Sequence, residues 1–141
     1  MFLGQWYNVF VNLSHASCKK IGHVGERAAA EYLRRHKFRV IDRNIAHKTG
    51  ELDIVAQKEN VVHVIEVKST VCDEFPLRFD TGDNFDPTDK LNPTKIRRVV
   101  RTGEWYLAEK KWRGEWQVDG VVVWLRRNDG VARVRYIPHI V

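Results

Sequence analysis

Asp53, Glu66 and Lys68 are the residues whose types and spacing could do chemistry. Asp53 lies in Leu52–Gln57 and the other two in Val61–Ser69, segments that read as strands around a polar turn, Lys58-Glu59-Asn60. In a two-residue hairpin turning at Glu59-Asn60, Lys58 pairs with Val61, and the same register places Asp53 opposite Glu66. Opposed residues share one face of a sheet, with Cβ atoms about 4.5–5.5 Å apart. Lys68, two residues beyond Glu66, points to that face as well. Facing carboxylates repel, and a hard divalent cation bound by their oxygens would offset the repulsion; magnesium commonly uses one or two carboxylates plus water. Lys68 would then orient or help deprotonate a metal-bound water. The same side chains could instead form a structural salt bridge at a sheet end, and position alone leaves both readings open.

The elements that must position these residues follow from periodicity. Ile21, Val24, Ala28, Tyr32 and Leu33 recur at helical steps over Ile21–Lys37. Glu26 falls beside that stripe, near the helix N-terminus, where the dipole favours a carboxylate. Phe38–Ile45 reads as a strand and Ala46–Gly50 as a turn, so three strands form an antiparallel meander. Val71–Leu91 has no clear period and holds six acids against one arginine, Arg78; a loop this long is usually functional or mobile. Asn92 and Pro93 read as the cap and first residue of a second helix running to about Lys111. Trp116–Leu125 and Val131–Ile137 are two further strands, joined at Asn128-Asp129-Gly130. The order α-β-β-β-α-β-β predicts an α/β domain with a mixed sheet of about five strands flanked by helices. The helical crossover makes the fourth strand parallel to the third.

The 141 residues suit one domain, read here as 21–141 behind an apolar extension, 1–20. That extension has no basic leader, is interrupted by Asn8, Asn12, Ser14 and His15, and is shorter than the roughly 20 residues of a spanning helix. It is expected to pack on the domain or pair with another chain. Cys18 and Cys72 form no CxxC pair, which fits reduced thiols in a cytoplasmic protein. His15 and Cys18 lack the second ligand pair that zinc needs. A net charge of +6 allows an anionic partner such as nucleic acid. Lys95, Arg97, Arg98 and Arg101 cluster near the second helix's start; Arg97 and Arg101 read as a solvated face, Lys95 and Arg98 as candidate phosphate contacts. The tryptophans read as packing residues.

In order and at this spacing, Gly25-Glu26, Gly50-Glu51-Leu52-Asp53-Ile54-Val55-Ala56 and Ile65-Glu66-Val67-Lys68 resemble the core of the PD-(D/E)XK nucleases. More narrowly they are similar to the bacterial YraN family, an uncharacterised group related to archaeal Holliday-junction resolvases. The resemblance runs from Gly22 to about Leu125 and takes in Pro93-Thr94-Lys95, Trp105-Tyr106-Leu107 and the strand of Asp119. It implies a restriction-endonuclease-like fold and hydrolysis of DNA phosphodiester bonds with Mg²⁺ or Mn²⁺, on branched or damaged DNA among other substrates. Asp53 and Glu66 would be the metal ligands, with the Val67 carbonyl a candidate third. Lys68 would position the attacking water, and Glu26 would complete the acidic cluster through a water or by holding a ligand. Lys95 matches a lysine of the family pattern, and a homodimer follows by analogy only. Glu51 is expected on the opposite face from Asp53. The acidic segment departs from the family's shorter, more basic connection. A second hypothesis is a nucleic-acid-binding or assembly module that keeps the fold with little catalysis; the intact Asp53, Glu66 and Lys68 favour the nuclease.

Overall fold

In a computed structural model, which describes residues 5–8, 12–75 and 93–141, the chain runs β1 (Gln5–Asn8), α1 (Cys18–Arg35), β2 (Arg39–His47), β3 (Gly50–Lys58), β4 (Val61–Cys72), α2 (Pro93–Glu109), β5 (Glu115–Arg126) and β6 (Val131–Ile137). The strands form one sheet in the order β1-β6-β5-β4-β3-β2. The expected α-β-β-β-α-β-β order is present, with β1 added at one edge. Only β4 and β5 are parallel, because α2 carries the chain back across the sheet between them. No described helix is long and apolar enough to cross a membrane.

Several boundaries differ from the sequence reading for physical reasons. The N-terminal stretch supplies β1 to its own sheet, pairing Gln5↔Val134 through Asn8↔Val131, and Tyr7 is buried there. Helix α1 starts at Cys18 because the Ser17 hydroxyl caps it, accepting the Lys20 N–H at 3.2 Å. Glu26 therefore sits roughly two turns inside the helix, and the dipole, which fades within the first turn, does not stabilise it as expected. Strand β4 runs to Cys72, past the expected Ser69, because β5 pairs with it as far as Cys72↔Arg126. The acidic segment thus begins as strand, and Asp73 then pairs with Arg127 at 2.9 Å. Asp80, Asp83, Asp86, Asp89 and the expected Asn92 cap lie outside the described residues.

The helices cover opposite faces. Under α1, Ala28, Ala29 and Leu33 pack on Ile54, Ile65, Val121, Val123 and Leu125. Under α2, Val99, Tyr106 and Leu107 pack on Val55, Val62, Val64 and Val118. Helix α1 makes its closest approach at Gly25. A Cβ there would overlap the Ser69 hydroxyl and lie 2.7 Å from Ser69 Cβ. The missing side chain lets α1 lie against β4, and the next residue, Glu26, is carried to the end of that strand.

A buried polar knot fixes the α1 face. Asp119 is fully buried and accepts hydrogen bonds from His63 Nδ1 at 2.6 Å, Gln117 Nε2 at 2.7 Å, the His139 N–H at 2.9 Å and the Tyr136 hydroxyl. Against a carboxylate, His63 Nδ1 must carry the proton. Burial alone would raise the Asp119 pKa, but the donors prevail and hold it below the usual carboxylate range.

Two predictions follow from this packing. Gly25→Ala should destabilise by about 1–3 kcal/mol through overpacking, and Ser69→Gly in the same chain should restore most of the loss in urea unfolding. No recovery would mean that Ser69 is not what Gly25 accommodates. Asp119→Asn, which cannot accept from every donor, should lose about 2–4 kcal/mol at pH 7. Because the folded-state pKa is depressed, that deficit should shrink as pH falls below about 3.9, where the wild-type carboxylate also protonates; a constant deficit from pH 7 to 2 would refute an ionised Asp119.

Candidate functional site

The expected hairpin register holds from Lys58↔Val61 to Ile54↔Ile65, and there the β3–β4 ladder ends. Both strands continue with other partners, β3 with β2 to Gly50↔His47 and β4 with β5 to Cys72↔Arg126. The sheet forks. Asp53 and Glu66 are the first residues past the last ladder pair, at the crotch of the fork. Where a β3 main-chain acceptor would have continued the ladder, Asp53 Oδ2 accepts the Val67 N–H at 2.9 Å. The fork opens a cavity of roughly 690 Å³ lined by Gly50, Glu51, Asp53, Glu66, Thr94, Lys95, Arg98 and Val99. Strand β3 supplies one wall, β4 the floor and the first turns of α2 the other wall.

Glu51 lines this cavity too, contrary to the expectation that it points away. Two residues before Asp53, it falls on the Asp53 face by the ordinary period-two alternation of a strand, so the expected opposite face does not follow from that period. Gly50, Glu51, Thr94 and Val99 are the cavity residues that the sequence reading did not place in the site. A clue to Glu51 was its place beside Gly50, whose φ of +151° and close fit to Thr102 mark an irregular strand start.

The electrostatics are unfavourable as the chain stands. Glu66 is 5% exposed. Burial, reinforced by the Asp53 charge, pushes its pKa up to about 7 even though Lys95 draws it down. Asp53 is raised as well, first by burial and then by the charges of Glu26 and Glu51, against the lowering effects of the Val67 N–H and Lys95. Lys95 Nζ lies 3.4 Å from Glu66 Oε2. Among the described residues, Glu66 Oε1 is buried with no hydrogen-bond partner, and so is Glu26 Oε2.

Lys68 is placed differently from the expected convergence. It lines an adjoining groove of about 350 Å³ with Glu26, Val67, Ser69, Ile21 and Lys95. Past Glu66 there is no β3 for it to face, and among the described residues Lys68 makes no ion pair. The ammonium paired with Glu66 is that of Lys95, the one residue of those linings common to both spaces. Glu26 is thus on the Lys68 side, close enough for its charge to act on Asp53 and Glu66. Arg98 is in the first cavity with Lys95, as an anion contact would require.

The fit to a divalent cation can be judged from these donors. No three His, Cys, Asp or Glu side chains among the described residues are grouped to hold one ion. The side-chain donors are therefore the pair Asp53 and Glu66, which is the number magnesium commonly takes, water filling the rest of its shell. The unpartnered Glu66 Oε1, beside a carboxylate whose other oxygen is already committed to Val67, is what such an ion would satisfy. The residues fit a hard, partly hydrated cation.

Comparison with known proteins agrees with this geometry in extent. The model of the uncharacterised protein family UPF0102 matches residues 25–129. A UPF0102 protein of Sulfurovum sp. (strain NBC37-1) is 37% identical over 120 residues, 84% of this chain and 94% of that protein. One of Helicobacter pylori (strain HPAG1) is 33% identical over 114 residues, 81% of this chain and 87% of that protein. One of Wolinella succinogenes is 33% identical over 102 residues, 72% of this chain and 83% of that protein. The matched range contains Glu26, Asp53, Glu66, Lys68, Lys95 and Arg98, α1 from Gly25 onward, all of α2 and the whole fork, and the chain belongs to the UPF0102 family.

Proposed function

We propose that this chain is a magnesium- or manganese-dependent nuclease that hydrolyses DNA phosphodiester bonds on a core of the PD-(D/E)XK type. The observation that carries the reading is the orphaned Glu66 Oε1, buried beside Asp53. A buried carboxylate oxygen without a donor is costly unless a ligand shares it. Asp53 and Glu66 would hold the cation, with the Val67 carbonyl as candidate third donor. Bound there, the ion would polarise the phosphate and supply an activated water for attack on phosphorus.

The chain's own residues divide the remaining tasks. The Val67 N–H fixes Asp53, so one ligand is oriented before any substrate arrives. Lys95 neutralises part of the charge on Glu66 and separates the two spaces. Lys68, across Lys95 in the adjoining groove, is placed to hold a water or the negative charge growing on a phosphate oxygen from that side. The free oxygen of Glu26 in the same groove is an acceptor for a water that links the two sets of residues. Lys95 and Arg98 on the α2 wall face the backbone of the bound strand. The free thiols of Cys18 and Cys72 suit the reducing cytoplasm, where DNA, branched or damaged DNA included, is the substrate.

The purified protein should cleave linear, nicked or four-way DNA with Mg²⁺ or Mn²⁺ and not with EDTA. Glu66→Ala and Asp53→Asn should each lose about a hundredfold or more, the scale of losing support for a metal. Cleavage persisting equally in both variants would exclude this site. Binding without cleavage in any metal would favour the binding or assembly module of the same fold.

A second prediction reads the strain without activity. With its pKa raised from 4.5 to about 7, Glu66 binds its proton more tightly in the folded than in the unfolded chain. In metal-free buffer its contribution to stability is therefore full below pH 4.5 and is lost as pH rises through 7. Glu66→Gln should be more stable than wild type at pH 8 in EDTA, by roughly 2–3 kcal/mol, and the advantage should close toward pH 4. Equal urea midpoints at pH 8 would show that Glu66 is not strained.

A further inference from the structure

The α2 wall of the cavity does not stop at Arg98. Thr94, Arg98, Arg101 and Trp105 succeed one another at steps of four, three and four, so they form one stripe along a single flank of the helix. The stripe spans roughly 16 Å. Arg98 and Arg101 are exposed, and Glu104, three residues past Arg101, is exposed beside the end of the stripe.

The turn between β2 and β3 is fastened beside this stripe. His47 stacks on Trp105 with ring centroids 3.9 Å apart. The His47 Nδ1 is 2.9 Å from the Thr49 hydroxyl, which in turn lies 2.8 Å from the hydroxyl of buried Thr102. Gly50 presses so closely that a Cβ there would lie 3.1 Å from Thr102 Oγ1 and 3.5 Å from Arg98 Cβ. The fastening holds the turn rigidly on α2 and leaves Lys48 exposed at its tip. Lys48, Arg98 and Arg101 make no ion pair among the described residues. Three cations from two distant segments thus form a fixed basic ledge that begins in the carboxylate cavity and ends at an aromatic pair.

We infer that this ledge seats the nucleic-acid backbone and sets the direction in which the strand leaves the carboxylate pair, along α2 toward the His47–Trp105 stack. The inference rests on the proposed function for where the strand begins. Its own support is charge complementarity, rigidity and reach: 16 Å is about five steps of a strand at 3.4 Å rise. Aromatic faces beside basic residues are a recurrent feature of nucleic-acid surfaces. The inference replaces the solvated reading of Arg101 on the ground that the turn carrying the exposed Lys48 is docked on the same helix through His47 and Thr49.

Fluorescence anisotropy with a labelled duplex in EDTA tests this without any hydrolysis. Lys48→Glu with Arg101→Glu should weaken binding by about tenfold or more and reduce the slope of log affinity against log salt by about two contacts. Arg34→Glu with Arg113→Glu, an equal change of charge at other exposed positions, should leave affinity within about threefold. Unchanged melting temperatures for both pairs exclude unfolding as the cause. An equal loss in the two pairs, no loss in the first, or no duplex binding by the wild type overturns the ledge. Binding through the ledge with no cleavage in any metal would sink the hydrolytic reading and leave the ledge standing.

Discussion

One hydrogen bond, from the Val67 N–H to Asp53 Oδ2, organises the site. A β-ladder ends at high cost if its inner N–H groups are left unpaired. Here a side chain takes the place of a main-chain acceptor, and the two strands can separate while Val67 stays satisfied. β3 leaves with β2, β4 leaves with β5, and the space between them becomes the cavity. The residue that closes the ladder is also one of the two carboxylates. The architecture of the fork and its chemistry therefore cannot be separated.

The rest of the fold holds this arrangement against its own electrostatics. Burial and mutual repulsion raise both carboxyls, and Lys95 offsets only part of the effect. The opposing stability comes from elsewhere: two apolar layers, and the buried Asp119 knot, whose donors satisfy every demand its burial creates. Asp119 and Glu66 are a useful contrast. Both are buried acids on adjacent parallel strands, and one is held low by four donors while the other is left high with an empty oxygen. A saturated carboxylate is structural. A starved one is costly as it stands, and functional sites are where such local violations persist.

How far this could be read from the residues depends on the range of the forces involved. The strands, the two helices and the parallel crossover follow from periodicity and turn chemistry, which are local, and they are present. The pairing of Asp53 with Glu66 needed only the hairpin register, set by Glu59-Asn60, and that register holds to the pair before them. What escaped depends on contacts made across the sequence. Lys68 shares a strand with Glu66, and a continuous sheet would have brought it to Asp53; the fork removes the strand it would have faced. Glu51 is the exception: two residues from Asp53, it shares that face by simple alternation, and this was legible in the sequence. Glu26 loses its dipole because Ser17 starts the helix earlier. The Asp119 knot gathers His63, Gln117, Tyr136 and His139 from four places, and no periodic signal announces such a cluster.

The extent of the family match sharpens the functional argument. Residues 25–129 begin at the glycine that lets α1 touch β4 and end at the turn after β5. They leave out β1 and β6, which complete one side of the sheet. The matched segment includes the fork and its surroundings: α1 from Gly25 onward, the β3–β4 hairpin, α2, and β5, the parallel strand beside its floor. A module that only bound nucleic acid through basic side chains could replace Asp53 and Glu66 with neutral residues, relieve their repulsion, and keep a continuous ladder. Two buried acids at the crotch, with one oxygen unmet among the described residues, carry a cost that the proposed cation would offset.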